Sequence, residues 1–330
     1  MTARIRHGGD LAAASTAFGT PAEGWLDLST GINPLAYPLG NIPGAIWQRL
    51  PTGSDTKAMI TAAKRYYRVP ENAAISAAPG TQAIIQWLPV LRRKGTVQII
   101  GPTYAEHAHR WSAAGHDVTT ISDIDVADAE VIVLVNPNNP DGRNYSPGAL
   151  LALAERQRQR QGWLIVDEAF ADVTPETTIV PGSGQPGLIV LRSFGKFFGL
   201  AGLRLGFAIG HATEIDRLAD AVGPWSVAGP ALEIGARALD DGTWHEQTRT
   251  RLKSDAGRLD ALLTQHGLRI IGGTSLFRLA ETDHAFEIYQ RLARAGILVR
   301  IFDDQPNWLR FGLPGPEGDW DRLENALSRT

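Results

Sequence analysis

The chain has 330 residues and not one cysteine. Disulfides, thiolate nucleophiles and cysteine-ligated zinc are therefore excluded. It also lacks any run approaching the ~20 apolar residues that a membrane span requires. The nearest stretch, 199–210, carries Arg204 in its middle, so no membrane partner is expected. Neither sign of charge dominates. Lys plus Arg number 32 against 35 for Asp plus Glu, a net charge of −3, which argues against a general nucleic-acid binder. No secretory signal is expected either. After Arg4 and Arg6 come Gly8, Gly9 and Asp10, where an apolar core would have to begin, and a cytoplasmic location is the expectation. With 20% charged and 43% hydrophobic residues, the balance is that of a folded globule. The length suits two domains better than one.

The first ~50 residues read as loop-rich, with HGGD at 7–10, STGINPLAYP at 29–38, and Pro43 and Pro51. Regular structure is expected from Asp55, a candidate N-cap, followed by the helical stretch to Val69. A turn at Ala78-Pro79-Gly80 leads into a helix reaching Leu91. Strands are predicted at 96–101, 117–121, 130–135, 163–169, 188–193 and 204–210, and helices at 104–115 and 147–161. Short β-branched runs separated by helices indicate a mostly parallel sheet covered on both faces. After Pro224 long helical stretches (228–240, 243–266) precede strands GLRII, SLFRLA, ILVRIF and WLRFGL and two more helices. The expected organisation is an arm and substrate loop at 1–50, a large α/β domain at 51–235 and a smaller α+β domain at 236–330.

Three motifs invite readings that their context rejects. Residues 182–187 spell G-x-G-x-x-G, but a strand follows them instead of preceding them, so they read as a turn. WLIV ending in Asp167-Glu168 resembles the acidic strand of a nucleotide hydrolase, yet the chain has no G-x-x-x-x-G-K-[ST]. His107 and His109, two apart, point to different faces of a helix. No metal site is expected, and both read as packed or solvated histidines.

Four features fall at the C-terminal ends of predicted strands or beside them, where open α/β sheets place ligands. They are the turn Asn136 to Gly142, the buried carboxylate Asp167, the segment Ser193-Phe194-Gly195-Lys196, and Arg204 heading the next strand. A buried carboxylate is costly without a cationic partner. One chemistry uses all four. Pyridoxal 5'-phosphate needs a lysine for its aldehyde, an acid for its ring nitrogen and a cradle for its phosphate.

On these residues the chain resembles the pyridoxal-phosphate enzymes of the class I/II aminotransferase group. The landmarks are HGGD (7–10), INPL (32–35), NPNNPDG (136–142), VDEAF (166–170), RSFGKFFGLAGLRLGF (192–207), PWSV (224–227), ILVR (297–300) and LRFG (309–312). The resemblance implies the type I PLP-dependent transferase fold, with a mostly parallel seven-stranded sheet in the large domain and a small α+β domain. It implies Lys196 and Asp167 as catalytic residues, with Lys196 holding the cofactor and Asp167 its ring nitrogen. Asn139 would bond the ring oxygen and Tyr104 would stack on the ring. Gly80, Thr81, Gln82, Ser193 and Arg204 would hold the phosphate. For substrate it implies Arg310 on a carboxylate, Arg300 and His7 on a phosphate, and Gly8, Gly31 and Asn139 nearby.

HGGD, PWSV and Phe170 narrow the resemblance to a branch that decarboxylates L-threonine O-3-phosphate in cobalamin synthesis. The alternative is an aminotransferase of the histidinol-phosphate type. A homodimer is implied. Three positions depart from the wider group. Phe170 replaces a usual Tyr and Leu50 replaces a Tyr that reaches the neighbouring subunit's cofactor phosphate. Gly31 stands where an Asn is usual in the branch.

Overall fold

A computed structural model describes residues 7–328. In chain order its elements begin with α1 (Leu11–Phe18), β1 (Leu26–Asp27), α2 (Gly44–Gln48), α3 (Gly53–Tyr67), β2 (Ala74–Ala78), α4 (Thr81–Leu91) and β3 (Thr96–Ile100). They continue with α5 (Glu106–Ala113), β4 (Asp117–Ile121), β5 (Val131–Val135), α6 (Pro147–Gln159), β6 (Trp163–Asp167) and β7 (Leu188–Ser193). Next come the helical turn α7 (Phe194–Phe197), β8 (Gly206–Gly210), α8 (Ala212–Val222), α9 (Gly229–Asp240) and α10 (Gly242–Gln265). The last are β9 (Arg269–Thr274), β10 (Phe277–Glu281), α11 (Ala285–Arg294), β11 (Ile297–Leu298), β12 (Arg300–Phe302), β13 (Gln305–Gly312) and α12 (Glu317–Ser328).

The described residues divide into two compact units. The large unit holds Tyr37–Asn139 and Arg143–His245. The small unit holds residues 7–36, Pro140–Gly142 and 246–328.

The large unit is built on a seven-stranded sheet in the order β2-β8-β7-β6-β5-β3-β4. Only β8 runs against its neighbours; the β7-β6-β5-β3-β4 pairs are parallel. β5 and β6 are buried at every residue, because parallel strands covered on both faces carry no polar side. Their continuous apolar runs are what made them legible as strands. β2 was not expected as a strand. Its sequence AISAA has one β-branched residue, and its antiparallel pairing with β8 holds it in the sheet.

Helix starts follow local chemistry, with one correction. Thr52, and not Asp55, caps α3; Asp55 stands at the third helical position and returns the hydrogen bond to Thr52 in a capping box. Ser146 caps α6 with Pro147 at its first position. The first 50 residues are also less irregular than expected. Asp10 caps the helix α1 through Ala13 N, and α2 follows at Gly44. Arg204 does not head β8. It lies in the left-handed region at φ 53, two residues before the strand, after a 3-10 turn.

The small unit contains the antiparallel sheet β12-β13-β10-β9. β1 pairs in parallel with β11, Leu26 opposite Ile297 and Asp27 opposite Leu298. Residues from the two ends of the chain therefore share this unit. No helix among the described residues is long and apolar enough to cross a membrane.

Candidate active site

Within the large unit a cavity of about 190 Å³ opens beside the C-terminal ends of β6 and β7. Gly80, Thr81, Gln82, Tyr104, Asn139, Asp167, Ser193, Lys196 and Arg204 all line it, and so does Phe170. The nine residues expected around a cofactor are thus gathered in one place.

One end of the cavity is an anion cradle. Gly80 precedes α4 at φ 85, and no side chain caps that helix. Ala83 N–H donates back to Gly80 O at 3.1 Å, which leaves the N–H groups of Thr81 and Gln82 for a ligand. Glycine is favoured at 80 by its positive φ and at 206 by the backbone packed against it. A Cβ on Gly80 would come within 2.4 Å of the Arg204 guanidinium, and one on Gly206 within 2.5 Å of Thr81 N. Arg204 is exposed and donates to Ala201 O at 3.0 Å. A non-glycine residue at positive φ carries strain, and here that conformation brings its guanidinium to the helix start. A dianionic phosphate suits this donor set.

Tyr104 is held from two sides. Its hydroxyl donates to Gln82 Oε1 at 3.2 Å, and Gln82 Nε2 donates to Glu106 Oε2 at 2.8 Å. The Gln82 side chain thus fixes the ring. Asn136 braces the turn against Tyr145, and Asn138 ties it to the loop at 102–103. Tyr145 N donates to Asn136 Oδ1 at 2.8 Å, and Asn138 Nδ2 donates to Pro102 O at 2.9 Å. Asn139 is the member of that turn lining the cavity. Lys196 Nζ lies 5.6 Å from the centre of the Phe170 ring.

Asp167, 3% exposed, has a partner that the sequence did not reveal. His107, 1% exposed, places Nε2 at 2.9 Å from Asp167 Oδ2. With the carboxylate ionised, that ring N–H donates. Ala169 N donates to Asp167 Oδ1 at 3.0 Å. Spacing to His109 alone leaves His107 as a packed or solvated histidine; the structure buries it against Asp167. The useful signal was its closeness to Tyr104, which lies two residues before α5 while His107 is in its first turn; their rings meet edge-on at 6.1 Å.

A second missed group sits one residue away. Arg192, at the end of β7, donates through Nη1 to Glu168 Oε2 at 2.6 Å and through Nη2 to Asp172. Its guanidinium lies 4.6 Å from the centre of the Tyr67 ring. Burial would lower the Arg192 pKa, but Asp172 and Glu168 outweigh it and hold it firmly charged. Burial pushes the Glu168 carboxyl up against the pull of Arg192, Thr178 and Ile179. This ionic knot ties β6 to β7 just beyond Asp167 and just before Ser193. The acidic pair Asp167-Glu168 thus splits into one carboxylate in the cavity and one in the framework.

The remaining expected residues lie in the small unit. Arg300 and Arg310 are register partners across β12 and β13, so their side chains leave the sheet on the same face. Directly opposed like charges are unfavourable. Arg310 is 6% exposed and donates to Ser29 O at 2.7 Å. Burial and then Arg300 pull its pKa down to about 9, with Asp27 acting in the opposite sense. An anionic ligand relieves such a pair. His7, Gly8 and Arg300 line a separate cavity of about 500 Å³ with Ser29. Gly31 is buried in the coil after β1, and neither it nor Arg310 lines that cavity.

One substitution tests the Asp167 contact directly. His107→Phe keeps a ring against Tyr104 and removes the donor to Asp167. A hydrogen bond to a charged group is worth about 1.5–3 kcal/mol, so turnover should fall by roughly tenfold or more while the cofactor still binds. Unchanged turnover would mean that Asp167 acts without its histidine.

Residues 49–329 match the family model described as aminotransferase class I and II. The threonine-phosphate decarboxylase of Pseudomonas aeruginosa is 45% identical over 327 residues, covering 98% of this chain and 97% of that protein. The protein of the same description from a Sinorhizobium species is 47% identical over 335 residues, covering 100% and 99%. Among solved structures, L-threonine-O-3-phosphate decarboxylase from Porphyromonas gingivalis matches with a TM-score of 0.78 at 21% identity, covering 92% of this chain and 98% of that one.

Proposed function

This chain belongs to the aminotransferase class I and II family, and we propose that it is a lyase converting L-threonine O-3-phosphate to CO₂ and (R)-1-aminopropan-2-yl phosphate. Enzymes of this family use pyridoxal phosphate. The observation that carries the reading is the joining of full-length likeness to decarboxylases with one cavity that holds Lys196, Asp167 and a phosphate cradle. When bound, pyridoxal phosphate supplies an electron sink for the pair left on the substrate Cα as a bond there breaks.

The chain's own residues do the rest. Lys196 would hold the cofactor through its aldehyde and, once the substrate amine has displaced it, would return a proton to Cα. Asp167, with His107 at 2.9 Å, would keep the ring nitrogen protonated. Tyr104 would cover the ring face, and Asn139 would bond the ring oxygen. Phe170 offers that oxygen no hydroxyl. The N–H groups at Thr81 and Gln82, the Ser193 hydroxyl and Arg204 would hold the cofactor phosphate.

Arg310 grips the substrate carboxylate, with Gly31 nearby, and Arg300 and His7 beside Gly8 take its phosphate. Two anion grips would fix rotation about Cα, and hence select which bond there breaks. The Cα–carboxylate bond breaks, CO₂ leaves, and one proton replaces it.

The proposed product fits the synthesis of the cobalamin side chain, and the reading includes a cytoplasmic location and a homodimer. Trp47, Leu50 and Trp225 are 66%, 63% and 62% exposed, and a second copy of the chain would cover such side chains. Sedimentation at micromolar concentration checks this. The reaction is tested by incubating holoenzyme with L-threonine O-3-phosphate and measuring CO₂ and aminopropanol phosphate. Conversion of 2-oxoglutarate to glutamate in place of CO₂ release would make it an aminotransferase.

The two arginines make separable predictions. Arg300→Ala should weaken L-threonine O-3-phosphate by at least about 2 kcal/mol, roughly 30-fold, and leave L-threonine nearly unchanged. Arg310→Lys loses the planar fork and should weaken both ligands together. Equal losses for both ligands in Arg300→Ala would remove its phosphate role.

A further inference from the structure

The turn His7-Gly8-Gly9-Asp10 and Arg310 lie near opposite ends of the chain, and both meet Ser29. That residue is 2% exposed, and its backbone and side chain are both engaged. Its hydroxyl accepts Gly9 N–H at 2.7 Å and donates to Asp27 Oδ1 at 2.6 Å. Its own N–H donates to the same oxygen at 2.9 Å. Its carbonyl accepts Arg310 Nη2 at 2.7 Å. The turn is packed so closely that a Cβ on Gly8 would lie 2.3 Å from that carbonyl oxygen. Gly9 sits at φ 80, and Asp10 caps α1. The turn is therefore fixed on one side by a helix and on the other by Ser29.

We propose that Ser29 is a positioning residue that couples the His7–Asp10 turn to Arg310 and so sets two anion grips at one separation, matched to a substrate bearing both a carboxylate and a phosphate. It rests on the reading of Arg310 and His7 as substrate-binding groups. A hydroxyl can donate and accept at once, and this one does so between Asp27 and Gly9 while the carbonyl of the same residue holds Arg310. Alanine would keep the second link and lose the first. A grip spacing set before binding leaves less to be ordered by the ligand. It also discriminates against ligands that lack one of the two anions.

The test uses holoenzyme with L-threonine O-3-phosphate as substrate and L-threonine as competitive inhibitor. Ser29→Ala should raise KM for the phosphorylated substrate about fivefold, the worth of one hydrogen bond. The Ki for L-threonine and kcat should stay within about twofold, since the carbonyl link to Arg310 remains. Ser29→Thr, which keeps the hydroxyl, should restore KM. Gly8→Ala presses on the Ser29 carbonyl, so it should raise KM and Ki together. Should Ser29→Ala not fold, Gly8→Ala carries the test, and a rise in neither constant overturns the proposal. An unchanged KM in folded Ser29→Ala overturns it as well. Parallel movement of KM, Ki and kcat in that variant overturns it by making Ser29 merely structural. If the unmodified enzyme releases no CO₂ from L-threonine O-3-phosphate, the proposed reaction fails and takes the coupling with it. An active enzyme with the wrong Ser29 pattern leaves the reaction standing.

Discussion

Alanine at position 196 should abolish the borohydride-sensitive visible absorbance of the holoenzyme and cut CO₂ release by at least about 10³-fold. The expectation rests on where the lysines are. The chain has five, and Lys57, Lys64, Lys94 and Lys253 are all exposed. Lys196 alone among them lines the cavity that holds Asp167 and the anion cradle. A lysine that bonds the cofactor and also moves a proton at Cα contributes to two steps, so its loss should not be repaired by a neighbour. Mass spectrometry of the borohydride-reduced enzyme should find the pyridoxyl group on the Lys196 peptide. A label on any of the other four would refute the site.

Asp167→Ala should be the next most damaging change, at about 10²–10³-fold in kcat, the scale for losing one preorganised electrostatic contact in an enclosed site. The lysine remains, so borohydride should still attach the cofactor to Lys196. That separates the two roles in one pair of variants: Lys196→Ala loses the label and the activity, Asp167→Ala only the activity. Alanine would also leave His107, now 2.9 Å from Asp167 Oδ2, buried without that partner. Some loss of thermal stability should accompany the kinetic one. Asp167→Asn, which keeps an oxygen acceptor for His107 but no charge, should recover stability without recovering turnover. Near-normal turnover in either variant would make Asp167 structural.

Local chemistry was enough to expose much of the set that lines the cavity. The apolar runs of β5, β6 and β7 announce buried strands, and ligands collect at the ends of such strands. Asp167, Lys196 and the turn containing Asn139 follow from that alone. Their roles, and those of Tyr104 and Gly80, came from resemblance. Arg204 was recognisable as a residue but not as a conformation. Its left-handed φ of 53 depends on the 3-10 turn before it and the glycine cradle opposite.

What the sequence by itself determined is therefore the alternation of elements, the mostly parallel sheet and the positions where polar groups break its apolar strands. These depend on periodicity and on neighbours within a few residues. The tertiary structure decided the pairings. His107 reaches Asp167 across 60 positions and Arg192 reaches Glu168 across 24. The first contact depends on β4 lying at the sheet edge, so that β3 and the helix after it stand beside β5 and β6; the second joins the neighbouring strands β6 and β7. Arg300 faces Arg310 because of the register of β12 on β13, and Ser29 meets Arg310 across 281 positions. A side chain's local pattern says that it will be buried or exposed. Which charge it meets there is set by strand order and register, and those come from the packing of the whole unit.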